Sequence, residues 1–352
     1  MTRIAVLGAG MMATALATPL TDNGHEVHIV GTHLDRDEIE SMRDKGIHPR
    51  LAVRVPASVR AYQLEEAAGA FEDAPVVMVG ANSFGVRWAG EQLASLLRPG
   101  QDVLVVAKGM HAEDDGTLRI LPDVMAEPLA PELREAVTWS AVVGPSIAGE
   151  VAARRHTCVV FAGRDRAVLD RLARLFRTEH YHVWTSTDLI GSEVAAALKN
   201  CYALSVGLAE GLLDVAGEYD AADRNHNFEA ALIAQGFHEL CRMLDVLGGR
   251  RETPYELPGI GDMYVTSVGG RNVKVGRLLG EGVGFAEASE RLGNPTLEGA
   301  AAIRVIGGAL PKLTERGIIG ADDFPLLRHL HEVIALERPV DIPWSRFFRG
   351  EG

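Results

Sequence analysis

The 352-residue chain has only three cysteines, Cys158, Cys201 and Cys241, and they lie far apart. No CxxC pair occurs, so a disulfide framework is not expected and a reduced, cytoplasmic protein fits. Nor does any apolar run reach the ~18 residues that a membrane span needs. The start, Met1-Thr2-Arg3-Ile4-Ala5-Val6-Leu7-Gly8, reads as a strand running into glycine rather than as a signal peptide. Basic excess is missing too. With 35 Lys and Arg against 48 Asp and Glu, the formal charge is −13, which speaks against nucleic acid or an anionic membrane as partner. Any anionic substrate must therefore be held by a local basic cluster. No His/Cys/Asp group has the spacing of metal ligands, so no metal is expected. The absence of an internal repeat or low-complexity tract argues against a solenoid.

What remains is ordinary globular composition, 47% hydrophobic and 24% charged, at a length that suggests two domains. Ile4–Leu7, Val27–Val30, Val76–Val79, Val103–Ala107, Ala141–Val143 and Cys158–Ala162 are short, mostly Val-rich apolar runs. Amphipathic segments such as Trp88–Leu97 and Arg166–Phe176 lie between several of them. Continuous apolar strands separated by helices predict an α/β domain, a doubly wound parallel sheet covered on both faces. After Trp184 the pattern becomes almost wholly helical: Ser192–Leu213, Phe228–Leu247, Phe285–Leu292, Gly299–Arg316 and Phe324–Ile334. The expected division is 1–187 and 188–352. Pro19 falls inside the first predicted helix and should kink it or shift its start.

Gly8-Ala9-Gly10-Met11-Met12-Ala13 follows the first strand and opens a helix. Two glycines permit a tight turn and a close approach to a pyrophosphate, and Ala13 lets helix and sheet pack closely. Unpaired N–H groups at the helix start favour phosphate. The reading is a Rossmann-like dinucleotide site, against the plainer one of a structural glycine turn. At the end of the second strand, where NAD enzymes often carry an acid, stand Gly31-Thr32-His33; the nearest acid, Asp35, comes late. Thr32, His33 and Arg36 would suit a 2′-phosphate, which favours NADP over NAD. Gly31 adds room and no charge.

Lys108 ends a strand at the carboxyl edge where open α/β sheets place ligands. Gly144-Pro145-Ser146-Ile147-Ala148 ends another, with Gly144 and Ser146 able to line a ligand. Lys199-Asn200 sits in an otherwise apolar helix. A lysine there loses hydration, which lowers its pKa and suits it to proton transfer; the alternative is a lysine that snorkels to the surface. Gly259-Ile260-Gly261-Asp262 and Gly269-Gly270-Arg271-Asn272 bracket Thr266. Arg271 offers a planar fork for phosphate and Asn272 neutral donors, unless the segment is simply a solvated glycine loop.

These motifs together, in this order and spacing, resemble the soluble, nicotinamide-dependent glycerol-3-phosphate dehydrogenases over nearly the whole chain. Val30-Gly31-Thr32, His48-Pro49-Arg50-Leu51 and Gly269-Gly270-Arg271-Asn272 are more similar to archaeal members. The resemblance implies a 6-phosphogluconate-dehydrogenase-like helical C-terminal domain for substrate binding and dimerisation. It implies NADP or NAD as cofactor, a small phosphorylated substrate and a homodimer. Lys199 becomes the general acid/base, with Lys108 and Asp262 completing the catalytic set. Gly8, Gly10, Met11, Met12, Thr32, His33, Lys108, Ala148, Arg271 and Glu298 would lie on the cofactor. Lys108, Gly144, Ser146, Lys199, Asn200, Asp262, Thr266, Gly270, Arg271 and Asn272 would hold dihydroxyacetone phosphate. The chain departs from the family in three places. Gly270 stands where many members have Ser, Gln235 replaces an Arg, and Leu212–Asn227 is long and acidic. A related phosphorylated or phosphonylated hydroxyketone, another hydroxy-acid or ketopantoate reductase, and a non-catalytic nicotinamide sensor are the alternatives.

Overall fold

The protein, represented by a computed structural model, is described over residues 1–216 and 226–348, so most of the long acidic segment lies outside the described residues. Eight strands form one sheet: β1 (Arg3–Leu7), β2 (Glu26–Val30), β3 (Val59–Tyr62), β4 (Val76–Val79), β5 (Asp102–Val105), β6 (Thr138–Val143), β7 (Thr157–Gly163) and β8 (Tyr181–Ser186). Their spatial order is β8-β7-β6-β5-β4-β1-β2-β3. All pairings are parallel except β6 with β7, where Ser140 faces Gly163. Side chains alternate between two cores. Ile4 and Val6 join Leu16, Leu20, Leu172 and Phe176 on one face, while Ala5 and Leu7 join Phe71, Ala89 and Leu93 on the other. A strand buried on both faces leaves no polar position, hence the continuous apolar runs. The strands missed in the sequence, β3 and β8, are the edges, where Arg60 and Trp184 are exposed and the apolar run is broken.

Pro19 acts as expected. It has no N–H and its ring crowds the carbonyl four residues earlier. The first helix accordingly divides into Met11–Ala15 and Ala17–Asp22.

The chain falls into two units, and a single cut at 187/188 does not describe them. The first comprises Met1–Lys108 and Leu121–Leu189; the second takes Gly109–Ile120 and the chain from Ile190 onward. The excursion is a hairpin, Met110–Ala112 with Leu118–Ile120. Met110 and Leu118 enter the helical core, and Arg316 pairs with Asp115 at 3.1 Å. Three residues per strand are too few to announce themselves in the sequence.

The second unit is built around the helix Leu189–Ala216, buried on all sides from Gly191 to Ala209. Against it lies the helix Arg271–Gly280. A Cβ on Gly207 would meet the Val273 carbonyl oxygen at 2.0 Å, and one on Gly276 the Leu204 carbonyl oxygen at 2.0 Å. The helices touch backbone to backbone, so these glycines serve close packing rather than turns. The solvated loop, the plainer alternative for this segment, is not what forms: it is a helix whose first residue is Arg271.

Glu239 anchors a third helix, Pro325–Ala335. Its wholly buried carboxylate accepts hydrogen bonds from the Leu326 and Leu327 amides at 2.6 and 3.0 Å, from Gln235 at 2.9 Å and from the Tyr202 hydroxyl at 3.2 Å. Gln235, the departure from the family's Arg, also accepts from the Phe348 amide at 2.9 Å. Burial pushes the Glu239 carboxyl from 4.5 up to about 7, against the pull of those donors. The folded protein therefore keeps a proton that the unfolded chain releases between these values. The stability contributed by Glu239 is full at low pH and falls as pH rises through that window. Glu239→Gln abolishes the ionisation. The melting temperature of the wild type minus that of the variant should decrease from about pH 5 to about pH 8; a constant difference contradicts the assignment.

Candidate functional site

In the first unit, the turn after β1 is shaped by close approach. Gly8 has φ 103°, and a Cβ there would meet the Ala81 amide nitrogen at 2.9 Å, so only glycine fits. Gly10 caps the following helix without a side-chain hydrogen bond, leaving the first amides of Met11 and Met12 for an anion. Ser146 reaches Met12, Oγ to Sδ 3.5 Å, and Lys108 donates from Nζ to the Gly144 carbonyl at 3.3 Å. Gly144 is left-handed, φ 108°, and Ala148 begins the next short helix. Lys108, Gly144, Ser146 and Met12 thus share one edge of the sheet with the glycine turn. The cradle fits a dinucleotide: an uncapped helix start, a turn that admits no side chain, and a cation nearby.

At the end of β2 the side chains differ from expectation. The Thr32 hydroxyl donates to Asp35 Oδ2 at 2.8 Å, so its proton is already used and it does not stand ready for a phosphate. Arg36 pairs with Glu65 on the surface. His33 is exposed, edge-on to Trp88 at 5.6 Å. The cation nearest Asp35 is Arg50, 2.8 Å from Glu38 and 3.4 Å from Asp35.

In the second unit, Lys199 does not snorkel. It is 5% exposed and Asp262 2%. Lys199 Nζ donates to Asp262 Oδ1 at 2.9 Å and to Thr266 Oγ1 at 2.5 Å. Thr266 in turn donates to the Asp262 carbonyl at 2.7 Å. Its hydroxyl therefore orients the lysine rather than offering a proton to a substrate. Asp262 follows a π-helical stretch, Leu257–Gly261, packed so tightly that a Cβ on Gly259 would meet the Pro254 carbonyl at 2.0 Å. Such π-helical turns are frequent beside functional groups. Beside the pair, Asn272 Nδ2 donates to Asn200 Oδ1 at 3.3 Å, and Asn272 Oδ1 accepts from the Gly299 amide at 3.2 Å. Asn272 thereby ties Glu298-Gly299 to the helix of Lys199. Arg271 projects exposed from a helix start that Gly270 leaves uncapped, and no partner is recorded for it among the described residues. A buried, oriented ammonium and an exposed guanidinium at a helix N-terminus suit proton transfer and anion binding. Among the described residues, no group of three His, Cys, Asp or Glu is placed to hold a metal ion.

Residues 3–169 match the family model of the NAD-dependent glycerol-3-phosphate dehydrogenase N-terminus, and residues 188–343 that of its C-terminus. The chain belongs to the glycerol-3-phosphate dehydrogenase family. It is 34% identical to the NADP(+)-dependent glycerol-3-phosphate dehydrogenase of Archaeoglobus fulgidus, over 82% of this chain and 83% of that one. The glycerol-3-phosphate dehydrogenase [NAD(P)+] of Geobacillus kaustophilus is 32% identical, with 100% and 96% covered. The crystal structure of the enzyme from Coxiella burnetii superposes with a TM-score of 0.80 at 26% identity, covering 98% of this chain and 97% of that one.

In the sequence Asp35 is a late acid that could swing in from the turn after the second strand, and Arg50 is one residue of a short His-Pro-Arg-Leu stretch with no role assigned; the bonds they make around the dinucleotide turn appear only in the fold. Within the lysine cluster, Lys199→Met should lower kcat by roughly 10²-fold or more, the scale for losing a general acid. Binding of the reduced nicotinamide, followed by fluorescence, should be unchanged. A folded variant that keeps most of its kcat removes Lys199 from the chemistry.

Proposed function

We propose that the protein is a cytoplasmic, homodimeric glycerol-3-phosphate dehydrogenase. It would reduce dihydroxyacetone phosphate to glycerol 3-phosphate, a precursor for glycerophospholipids, with NADPH preferred to NADH. The observation that carries the reading is the Lys199–Asp262–Thr266 cluster in a member of this family. The glycine turn, Lys108 and Ala148 would hold a reduced nicotinamide, which when bound would supply the hydride. Lys199 donates the proton to the oxygen developing at C2, and takes it back in the reverse direction. Asp262 holds the ammonium in place. Arg271 and the open amides of its helix start bind the phosphate. Asn272 and Asn200 keep Lys199 in register with Glu298. Free cysteines and the absence of a membrane-crossing helix among the described residues suit the cytoplasm. The dimer is carried over from the family resemblance. NADPH preference is supported by the lack of an available carboxylate at the end of β2 and by the name of the Archaeoglobus relative.

The test is oxidation of NADPH and NADH with a panel of hydroxyketones. Dihydroxyacetone phosphate should be turned over far better than dihydroxyacetone, with NADPH ahead by about tenfold in kcat/KM. Arg271→Ala should cost about 10- to 150-fold in kcat/KM for the phosphorylated ketone, as expected for losing a hydrogen bond to a charged group. Arg271→Lys should recover only part. Equal rates with and without the phosphate would overturn the assignment, as would better turnover of another phosphorylated or phosphonylated ketone. An Arg271→Ala loss confined to cofactor affinity would move the phosphate elsewhere.

A further inference from the structure

Asp35 and His48 take no part in the chemistry above, yet both are buried and both bond the backbone of one residue of the dinucleotide turn, Ala9. Asp35 is 7% exposed and His48 fully buried. Asp35 Oδ2 accepts from the Ala9 amide at 3.2 Å, the Thr32 amide at 2.9 Å and the Thr32 hydroxyl at 2.8 Å. The Ala9 carbonyl meets His48 Nε2 at 2.8 Å. The tautomer follows from the neighbours. Leu51 donates its amide to His48 Nδ1 at 3.1 Å, so Nδ1 is the acceptor and Nε2 carries the hydrogen given to Ala9. The residue between the two glycines is thus gripped on its N–H by the loop after β2 and on its carbonyl by the short strand Ile47–His48. Arg50 closes the arrangement by bridging Asp35 and Glu38.

We propose that Asp35 and His48 are positioning residues that fix the backbone of Ala9 on both sides, so that the amides after Gly10 are preset for the cofactor's pyrophosphate, and that Asp35 is not a ribose ligand. The inference rests on the nicotinamide reading above. An acid shortly after β2 ordinarily accepts the ribose hydroxyls and repels a 2′-phosphate, which selects NAD. Here one carboxylate oxygen already takes three donors and the other faces Arg50. A ribose hydroxyl would have to displace bonds that hold the turn. Glycines flank Ala9, and without the clamp the turn loses two of the bonds that order it, which must be made up when the cofactor binds, at a cost in affinity.

The two roles separate in the ratio of cofactors. If Asp35 positions the turn, Asp35→Asn weakens NADPH and NADH alike, by about tenfold in Kd. If it binds the ribose, the substitution weakens NADH selectively and shifts the ratio toward NADPH. Fluorescence titration of both nicotinamides against wild type, Asp35→Asn, His48→Ala and His48→Gln reads this without any ketone. The expected result is a parallel loss in Asp35→Asn and His48→Ala, with partial recovery in His48→Gln, whose amide can still donate to Ala9. In turnover the loss should fall on the cofactor KM rather than on kcat, which distinguishes positioning from general destabilisation. A change in the NADPH/NADH ratio of more than about fivefold, or unaltered Kd values in folded variants, overturns the proposal. Failure to reduce dihydroxyacetone phosphate while both nicotinamides bind would sink only the substrate assignment. Wild-type protein that binds neither nicotinamide would sink the parent reading and this inference together.

Discussion

A lysine ammonium and an aspartate carboxylate, 2.9 Å apart and almost wholly removed from water, set the terms for the helical unit. Burying either charge alone costs several kcal/mol, and even a well-matched pair is often no more stable than apolar residues of the same volume. The surrounding structure must therefore supply what water would have given. Thr266 accepts from the ammonium and gives its own proton to the Asp262 backbone. The π-helical turn before Asp262 and the close contact of the glycine-lined helices hold the partners in place. In the proposed function the pair orients a proton donor, and a source of stability it is not.

The same economy operates at the dinucleotide turn, with backbone in place of charge. Gly8 can carry no side chain against the Ala81 amide, and glycine gives the backbone no conformational restraint of its own. Asp35 and His48 restore order from outside. In both places a residue that looks available in the sequence, Thr266 or Thr32, has its hydroxyl committed to a neighbour. Availability for a ligand depends on where the proton already goes.

Much of this was legible before the fold. Runs such as Ile4–Leu7 announce strands because both faces of a central strand are buried, and the GxGxxA turn declares itself by position. Lys199 stood out because no other charge shares its stretch of helix. The edge strands β3 and β8 escaped because exposed positions interrupt their apolar runs. The helix Arg271–Gly280 was not among the helices read from the sequence, because the eye stops at the glycine pair Gly269-Gly270; Gly276, farther on, is there for helix contact. The hairpin 109–120 and the inward turn of Asp35 were out of reach, since both depend on contacts with distant parts of the chain.

The central claim is that Lys199 and Asp262 form one interdependent buried unit whose purpose is orientation. A double-mutant cycle on stability tests it directly, with Lys199→Met, Asp262→Asn and the double variant followed by denaturant unfolding. Each single substitution strands a buried charge and should destabilise the protein by about 3–5 kcal/mol. The double variant, which strands none, should recover most of that loss while remaining inactive. Additive losses in the double variant would contradict the account.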